Sequence, residues 1–413
     1  MTRTNLILAL CLGCSDKNTD ASTDDTADGA SSCADTTGLA ELSTDSDILA
    51  LADATNAFLD SLDADQRLTV QYCLDDAELY SWTNIDVGDM PRTGGVSFGD
   101  LSDDQITALY AVFSAFLSTQ GYEDVYDIIN VIEPATAEKY ADNPERTHGV
   151  AYYTAVVFGT PGVDGSWGVQ LDGHHLAITF LVHGDRATIV PAFSGADPST
   201  VDGVNVFADE EAPAYAFVAS LTADQLATAT ISDEIFRDIF TSNNGFSNTD
   251  DGRDYDVSAF EGVGLAASEL SADQDTLLRA IVTQFVNDQA EPFATSWWSE
   301  IDAYWDQTRF SWVGETADGS AMYFRVYSPA LVIEYIHSNG ETSHPHVMLR
   351  VPNTGAYDET SDYGVFAAIA GQDPLRDHLR YAAHHAADRE RLRARPAQAL
   401  LALARVHAAS AWR

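Results

Sequence analysis

The sequence predicts an α+β fold: a mainly antiparallel sheet formed by two strand blocks, with helices packed before and between them. Apolar, β-branched and aromatic runs gather in two blocks, 150–192 and 309–351. Short turn-rich connections inside each block favour antiparallel pairing. A helix-start signature recurs four times outside the blocks. Strands grouped apart from helices indicate α+β rather than alternating βαβ units.

At 413 residues, with 45% hydrophobic and 10% aromatic residues, the chain is long enough and apolar enough to bury a sizeable core. Its formal net charge of −43 repels nucleic acid and anionic membranes, so no nucleic-acid partner is expected. The charge reads as solubility or adaptation to salt. No apolar run reaches the ~18 residues that a membrane-spanning helix needs.

Residues 1–14, MTRTNLILALCLGC, place one Arg before a short apolar run and Leu12-Gly13-Cys14. This resembles a lipoprotein signal with Cys14 as the lipidated residue. The chain is then expected in the cell envelope, extracytoplasmic and held to the membrane through a lipid anchor. The alternative is an ordinary secretory signal and a secreted protein. Residues 15–45 are rich in Asp, Ser, Thr and Ala and predict a disordered acidic tether. Cys11 leaves with the signal and Cys14 carries lipid, so Cys33 and Cys73 remain as a disulfide pair, with two free thiols as the alternative. A single α+β domain is expected over 46–371.

The recurring signature is Leu62-Asp63-Ala64-Asp65-Gln66, Leu101-Ser102-Asp103-Asp104-Gln105, Leu221-Thr222-Ala223-Asp224-Gln225 and Leu270-Ser271-Ala272-Asp273-Gln274. Asp, Ser or Thr stands three residues before Gln, the spacing of a capping box. The surrounding sequences differ, which argues for four helix starts rather than a domain repeat. Helices are expected over 47–75, 102–119, 222–230, 271–288 and 293–305. Ile106, Leu109, Tyr110, Phe113, Phe116 and Leu117 share one face at helical spacing, as do Leu277, Leu278, Ile281, Val282 and Phe285.

Strands are expected at 150–158, 167–171, 176–182 and 187–192, then 309–313, 321–327, 331–337 and 345–351. His183-Gly184-Asp185-Arg186 and Ser338-Asn339-Gly340 punctuate them as turns. The polar stretch 240–255 reads as a solvated loop without calcium-loop spacing. After Gly371 the composition changes sharply. Residues 372–413 carry eight Arg and four acids, and read as a basic Ala/Arg-rich surface helix or as the product of a shifted reading frame.

Several segments resemble the domain of unknown function 3500 family: Gly165-Ser166-Trp167-Gly168, Asp172-Gly173-His174-His175-Leu176, Pro191–Pro198, Phe310–Gly314, Tyr323–Val326, Ile333-Glu334-Tyr335 and His344–Arg350. The His-His-Leu and His-x-His elements are its most specific parts. Ser343 and Leu349 depart from the pattern, where the family has Asn and Trp. The resemblance groups these residues and implies no activity.

The histidines point to a metal. His344 and His346 lie two apart, so on a strand both face one side. His174 and His175 are adjacent, so only one joins them unless a bulge or turn intervenes. Three His with an open position suit a divalent metal, zinc or copper. Glu334, alone in an apolar run, would orient a ligand or act as base, and Arg350 would hold an anionic substrate group. The resulting expectation is a metal-dependent hydrolase acting on an unknown small molecule. The alternative is a non-catalytic cell-surface protein that binds a small ligand or metal. A neutral His network, with Glu334 paired to Arg350 or Arg325, would need no metal.

Overall fold

The computed structural model describes residues 41–352 apart from 75, 87–91, 93, 144–145, 164 and 242–256. The expected signal, Cys14, Cys33 and the basic tail lie outside the described residues. Cys73 is disulfide-bonded. No helix among the described residues is long and apolar enough to cross a membrane.

The chain opens with α1 (Ser46–Ser61), α2 (Ala64–Val70) and β1 (Gln71–Tyr72). Then come β2 (Val96–Ser97), α3 (Asp103–Phe116), α4 (Thr119–Asp127) and α5 (Glu133–Lys139). The first strand block is β3 (Thr154–Gly159), β4 (Ser166–Gly173), β5 (Leu176–His183), β6 (Arg186–Thr188) and β7 (Ala192–Gly195). A small hairpin, β8 (Thr200–Val201) with β9 (Val204–Asn205), leads to α6 (Ala208–Ser220), α7 (Ala223–Ala229) and β10 (Leu265–Ala266). The chain continues through α8 (Ala272–Val286) and α9 (Glu291–Ala303). The second block is β11 (Arg309–Gly314), β12 (Met322–Ser328), β13 (Leu331–His337) and β14 (Pro345–Arg350).

The expected α+β architecture is present. One large sheet runs β1-β3-β4-β5-β7-β14-β13-β12-β11-β10, with β2 beside β3 and β6 beside β5. Its strand pairings are antiparallel except β1 with β3. The two blocks meet where β7 pairs β14, with Gly195 opposite His346 and Phe193 opposite Met348.

The order is symmetric about that junction, and the helices follow it. The four capping boxes form as expected, each worth about 1 kcal/mol. They also meet in two matching pairs. Gln66 and Gln105 bond each other while reaching the Asp100 and Ser61 carbonyls. Gln225 and Gln274 do the same with Glu269 and Ser220. Gly95 and Gly264 both have φ 97°. β1 pairs parallel with β3, and Thr230 makes the corresponding parallel bridge to Trp312. The capping boxes therefore mark two similar halves of one sheet, contrary to the expectation of four unrelated helix starts. Their surrounding side chains differ while the capping geometry is the same.

Other corrections are local. The helix expected over 47–75 breaks at Leu62, where Asp63 starts α2 with its own cap. Helix α6 carries Pro213 inside it and shows little amphipathic pattern, so it was missed. Helices α4 and α5 are joined by a π-helical turn, Ile128–Ile132, which delivers Glu133. The strand expected over 187–192 is split between β6 and β7.

The helices pack one face of the sheet. Phe116 and Phe180 rings lie 5.0 Å apart, and Phe113 stacks on Phe180 at 5.8 Å. Such pairs add about 0.5–1.5 kcal/mol beyond area burial. Residue alternation puts Ala177, Phe193, Ile336 and Met348 on the other face, where Trp82 and Ile239 cover them. That cover consists of the segments following α2 and α7, and it carries Asn84 and Asp238 to one end of the central strands.

Candidate metal centre

The site is built where the β4–β5 turn, the end of β7 and the start of β14 converge. Gly173 pairs with Leu176, so His174 and His175 form the two-residue tip of a hairpin. His175 takes φ 62°, a left-handed conformation uncommon outside glycine. Its backbone N–H donates to the Asn84 carbonyl at 2.9 Å, which holds the tip in place. Tyr153 packs where a Cβ on Gly173 would lie, and its hydroxyl donates to the His174 carbonyl at 2.6 Å. The adjacent histidines thus reach different neighbours, as a turn rather than a strand permits.

His175, His344 and His346 form one group. His175 Nε2 lies 3.1 Å from His344 Nε2, and His346 Nε2 lies 3.0 Å from the same atom. Nitrogens bound to one ion lie roughly 3–3.5 Å apart. His346 comes from β14, and His344 from the β13–β14 connection. His344 is fixed there by its N–H to the Glu341 carbonyl and its carbonyl to the Ser338 N–H. Gly195 makes the approach possible. A Cβ there would stand 2.9 Å from His346 Cδ2 and 3.2 Å from His175 Cδ2. His346 Nδ1 lies 2.8 Å from Asp238 Oδ1. A carboxylate at that nitrogen keeps its proton there and turns the Nε2 lone pair toward the other rings.

Burial drives the His175 imidazole well below its ordinary value, and the neighbouring His174 and His346 add to the effect. His344 is pushed down to about 4 by burial and by His346. Neutral imidazoles are the form that ligates a metal. His175 and His346 are buried, whereas His344 and His174 keep partial exposure.

His174 enters a second group. Its Nδ1 lies 2.8 Å from Glu133 Oε2, and Glu133 Oε1 accepts the Gly149 N–H at 2.6 Å. His148 Nδ1 stands 3.7 Å from Glu133 Oε1. Helix α5 is pinned to the end of β7 through Asp197: Thr136 Oγ1 donates to its carbonyl, and Lys139 and Tyr140 bond its carboxylate at 2.5 and 2.6 Å. The two groups touch, since the His174 and His175 rings stack with centroids 3.8 Å apart.

Of the expected residues, the structure brings His175, His344 and His346 together and sets His174 beside them. Glu334 is elsewhere. It opposes Met348, two positions along from His346 and so roughly 7 Å down the strand. Its carboxylate accepts from Phe240 N, Thr241 N, Thr241 Oγ1 and Tyr323 OH. Those donors compensate a buried charge, and the expected catalytic part for Glu334 does not fit this position. Arg350 is a further two positions along β14, with its Nε donating to the Thr241 carbonyl. The expected part at the histidine site does not fit it either; Thr241 links it to Glu334. Sequence reasoning missed Glu133, His148 and Asp238, which no local spacing ties to the histidine motifs.

Residues 44–359 match the family described as Protein of unknown function (DUF3500). Neither the comparison with curated proteins nor that with solved structures gives a match.

Proposed function

We propose, since this chain belongs to the family Protein of unknown function (DUF3500) and takes no activity from it, that His175, His344 and His346 hold a divalent metal, zinc or copper. One observation carries this reading: His344 Nε2 stands 3.1 Å from His175 Nε2 and 3.0 Å from His346 Nε2, with the Asp238 carboxylate 2.8 Å from the far nitrogen of His346. Without an ion, His344 Nε2 faces two other ring nitrogens and can satisfy at most one of them as donor.

Three histidine ligands leave a coordination position for water or substrate, as in catalytic rather than closed structural sites. A metal held there supplies Lewis acidity and an activated water at neutral pH. Partly exposed His344 and His174 mark the side from which a substrate would reach it. The reading is therefore a metal-dependent hydrolase. Elemental analysis of protein purified without added metal tests the first step. Metal should be present, and His344→Ala with His346→Ala should remove it. Hydrolysis of ester, amide or phosphoester probes, lost on chelation and restored by zinc, tests the second. Metal binding without turnover of any probe class would leave a binding protein in place of an enzyme.

The disulfide at Cys73 supports an oxidising compartment. With the Met1–Cys14 pattern, it favours export of the chain and, through Cys14, attachment to the cell envelope.

A further inference from the structure

The histidine centre has a neighbour of different composition. Glu133, His148 and His174 each offer one ligand atom within 4.8 Å of the others. The His148 side chain is only 4% exposed, yet neither of its ring nitrogens has a hydrogen-bond partner. A neutral imidazole carries one donor and one acceptor, and native interiors rarely leave both unpaired. Its Nδ1 is aimed at Glu133 Oε1 across 3.7 Å, too far for a hydrogen bond. That separation is only slightly wider than the roughly 3–3.5 Å between two ligand atoms of one ion.

We propose that Glu133, His148 and His174 form a second divalent-cation site, adjacent to the His175–His344–His346 centre through the His174–His175 dipeptide. Two imidazoles and a carboxylate suit zinc, iron(II) or manganese. The second site contributes the negative charge that the all-histidine centre lacks, which moderates repulsion between two neighbouring cations. The π-helical turn Ile128–Ile132 offsets α5 so that Glu133 meets the hairpin tip, and such turns are frequent at functional sites. Glu133 is itself 2% exposed and has the Gly149 N–H to hold one oxygen in place. The second half of the sheet provides a control within the same chain. Its corresponding hairpin, between β12 and β13, turns at Pro329-Ala330, with no ligating side chain.

This site stands on its own residues and does not require the first centre. The test is metal stoichiometry of the full chain after loading with zinc and desalting. Wild type is expected to hold two ions per chain. Glu133→Gln with His148→Phe, which keeps ring volume and removes the nitrogens, should hold one. His344→Ala with His346→Ala should also hold one, and the combined variant none. One ion in wild type, kept by the Glu133/His148 variant and lost from the His344/His346 variant, overturns the second site and leaves the proposed function intact. One ion with the opposite dependence supports the second site and overturns the first. No ion in correctly folded wild type overturns both, and that outcome needs no variant to fold.

Discussion

Asp238 Oδ1 stands 2.8 Å from His346 Nδ1 and also accepts the Ile239 N–H at 2.8 Å, so one carboxylate oxygen sets both its own loop and the ring. This pair makes the segment after α7 part of the centre although it contributes no ligand. Asp238→Ala is expected to weaken zinc binding by about 10–100-fold, the usual effect of losing a ligand's outer partner. Competition with a chromophoric chelator would measure it. Unchanged affinity would mean that packing alone orients His346.

Gly195 is expected to tolerate no side chain. In Gly195→Ala the new Cβ meets His346 Cδ2, the Pro345 carbonyl and His175 Cδ2 at 2.9–3.2 Å. The carbonyl belongs to β14 and cannot swing aside, so two of the three rings must move. Zinc binding should fall sharply while the circular dichroism spectrum stays that of the wild type. A variant that binds zinc normally would show that the histidines reach the metal from different rotamers.

How much of this was legible in sequence depends on which interactions are local. Asp63 with Gln66 and Ser271 with Gln274 are local, and their spacing alone predicts the caps that form. His344 and His346 are two apart and share a site for the same reason. The division between His174 and His175 rests on a left-handed residue at a hairpin tip, which period-two reasoning about a strand does not anticipate. Glu133 and His148 come from a helix and a loop that only the fold brings to that tip. Glu334 misled because an acid in an apolar run looks functional. Its donors come mainly from Phe240 and Thr241, in a segment with no signal of contact with β13. The repeat is hard to see in sequence because the two halves share little beyond the caps and a few glycines, such as Gly95 with Gly264 and Gly159 with Gly314.

A buried ion network holds the segment that carries Asn84. Arg92, with a side chain 2% exposed, bonds Glu78 and Asp172 at 2.8 Å and Gln170 at 2.8 Å. Asp172 also accepts the Thr83 N–H at 3.0 Å. Arg92→Met leaves the Asp172 carboxylate buried without its cation, a change that typically costs about 3–5 kcal/mol. Urea unfolding should show a loss of that order. A loss below about 1 kcal/mol would mean that water replaces the guanidinium. The variant should also loosen the Asn84 contact to His175, and so weaken zinc binding more than a distant destabilising substitution does.

On the helical face, a cavity at the β7–β14 junction is lined by Asp124, Glu210 and Asp288 above apolar side chains of β5, β7 and β14. Asp124 Oδ2, Glu210 Oε2 and Asp288 Oδ1 have no hydrogen-bond partner. Burial pushes the Asp124 carboxyl up to about 7, and repulsion from Asp209 and Asp127 adds to it. Burial and Asp124 also raise Glu210 and Asp288 well above the usual carboxylate range. Between pH ~4, where Asp124 ionises in the unfolded chain, and its folded value of about 7, the folded state holds more protons. Stability is therefore complete below pH ~4 as far as this group is concerned, and it falls as pH rises through 7. For Asp124 alone the loss is roughly 2–4 kcal/mol across that window. Asn keeps the shape of a protonated carboxyl, so Asp124→Asn should be more stable than wild type at pH 8 and close to it at pH 4. Urea midpoints at those two values would measure the difference. Equal pH dependence in the two proteins would show that Asp124 ionises normally.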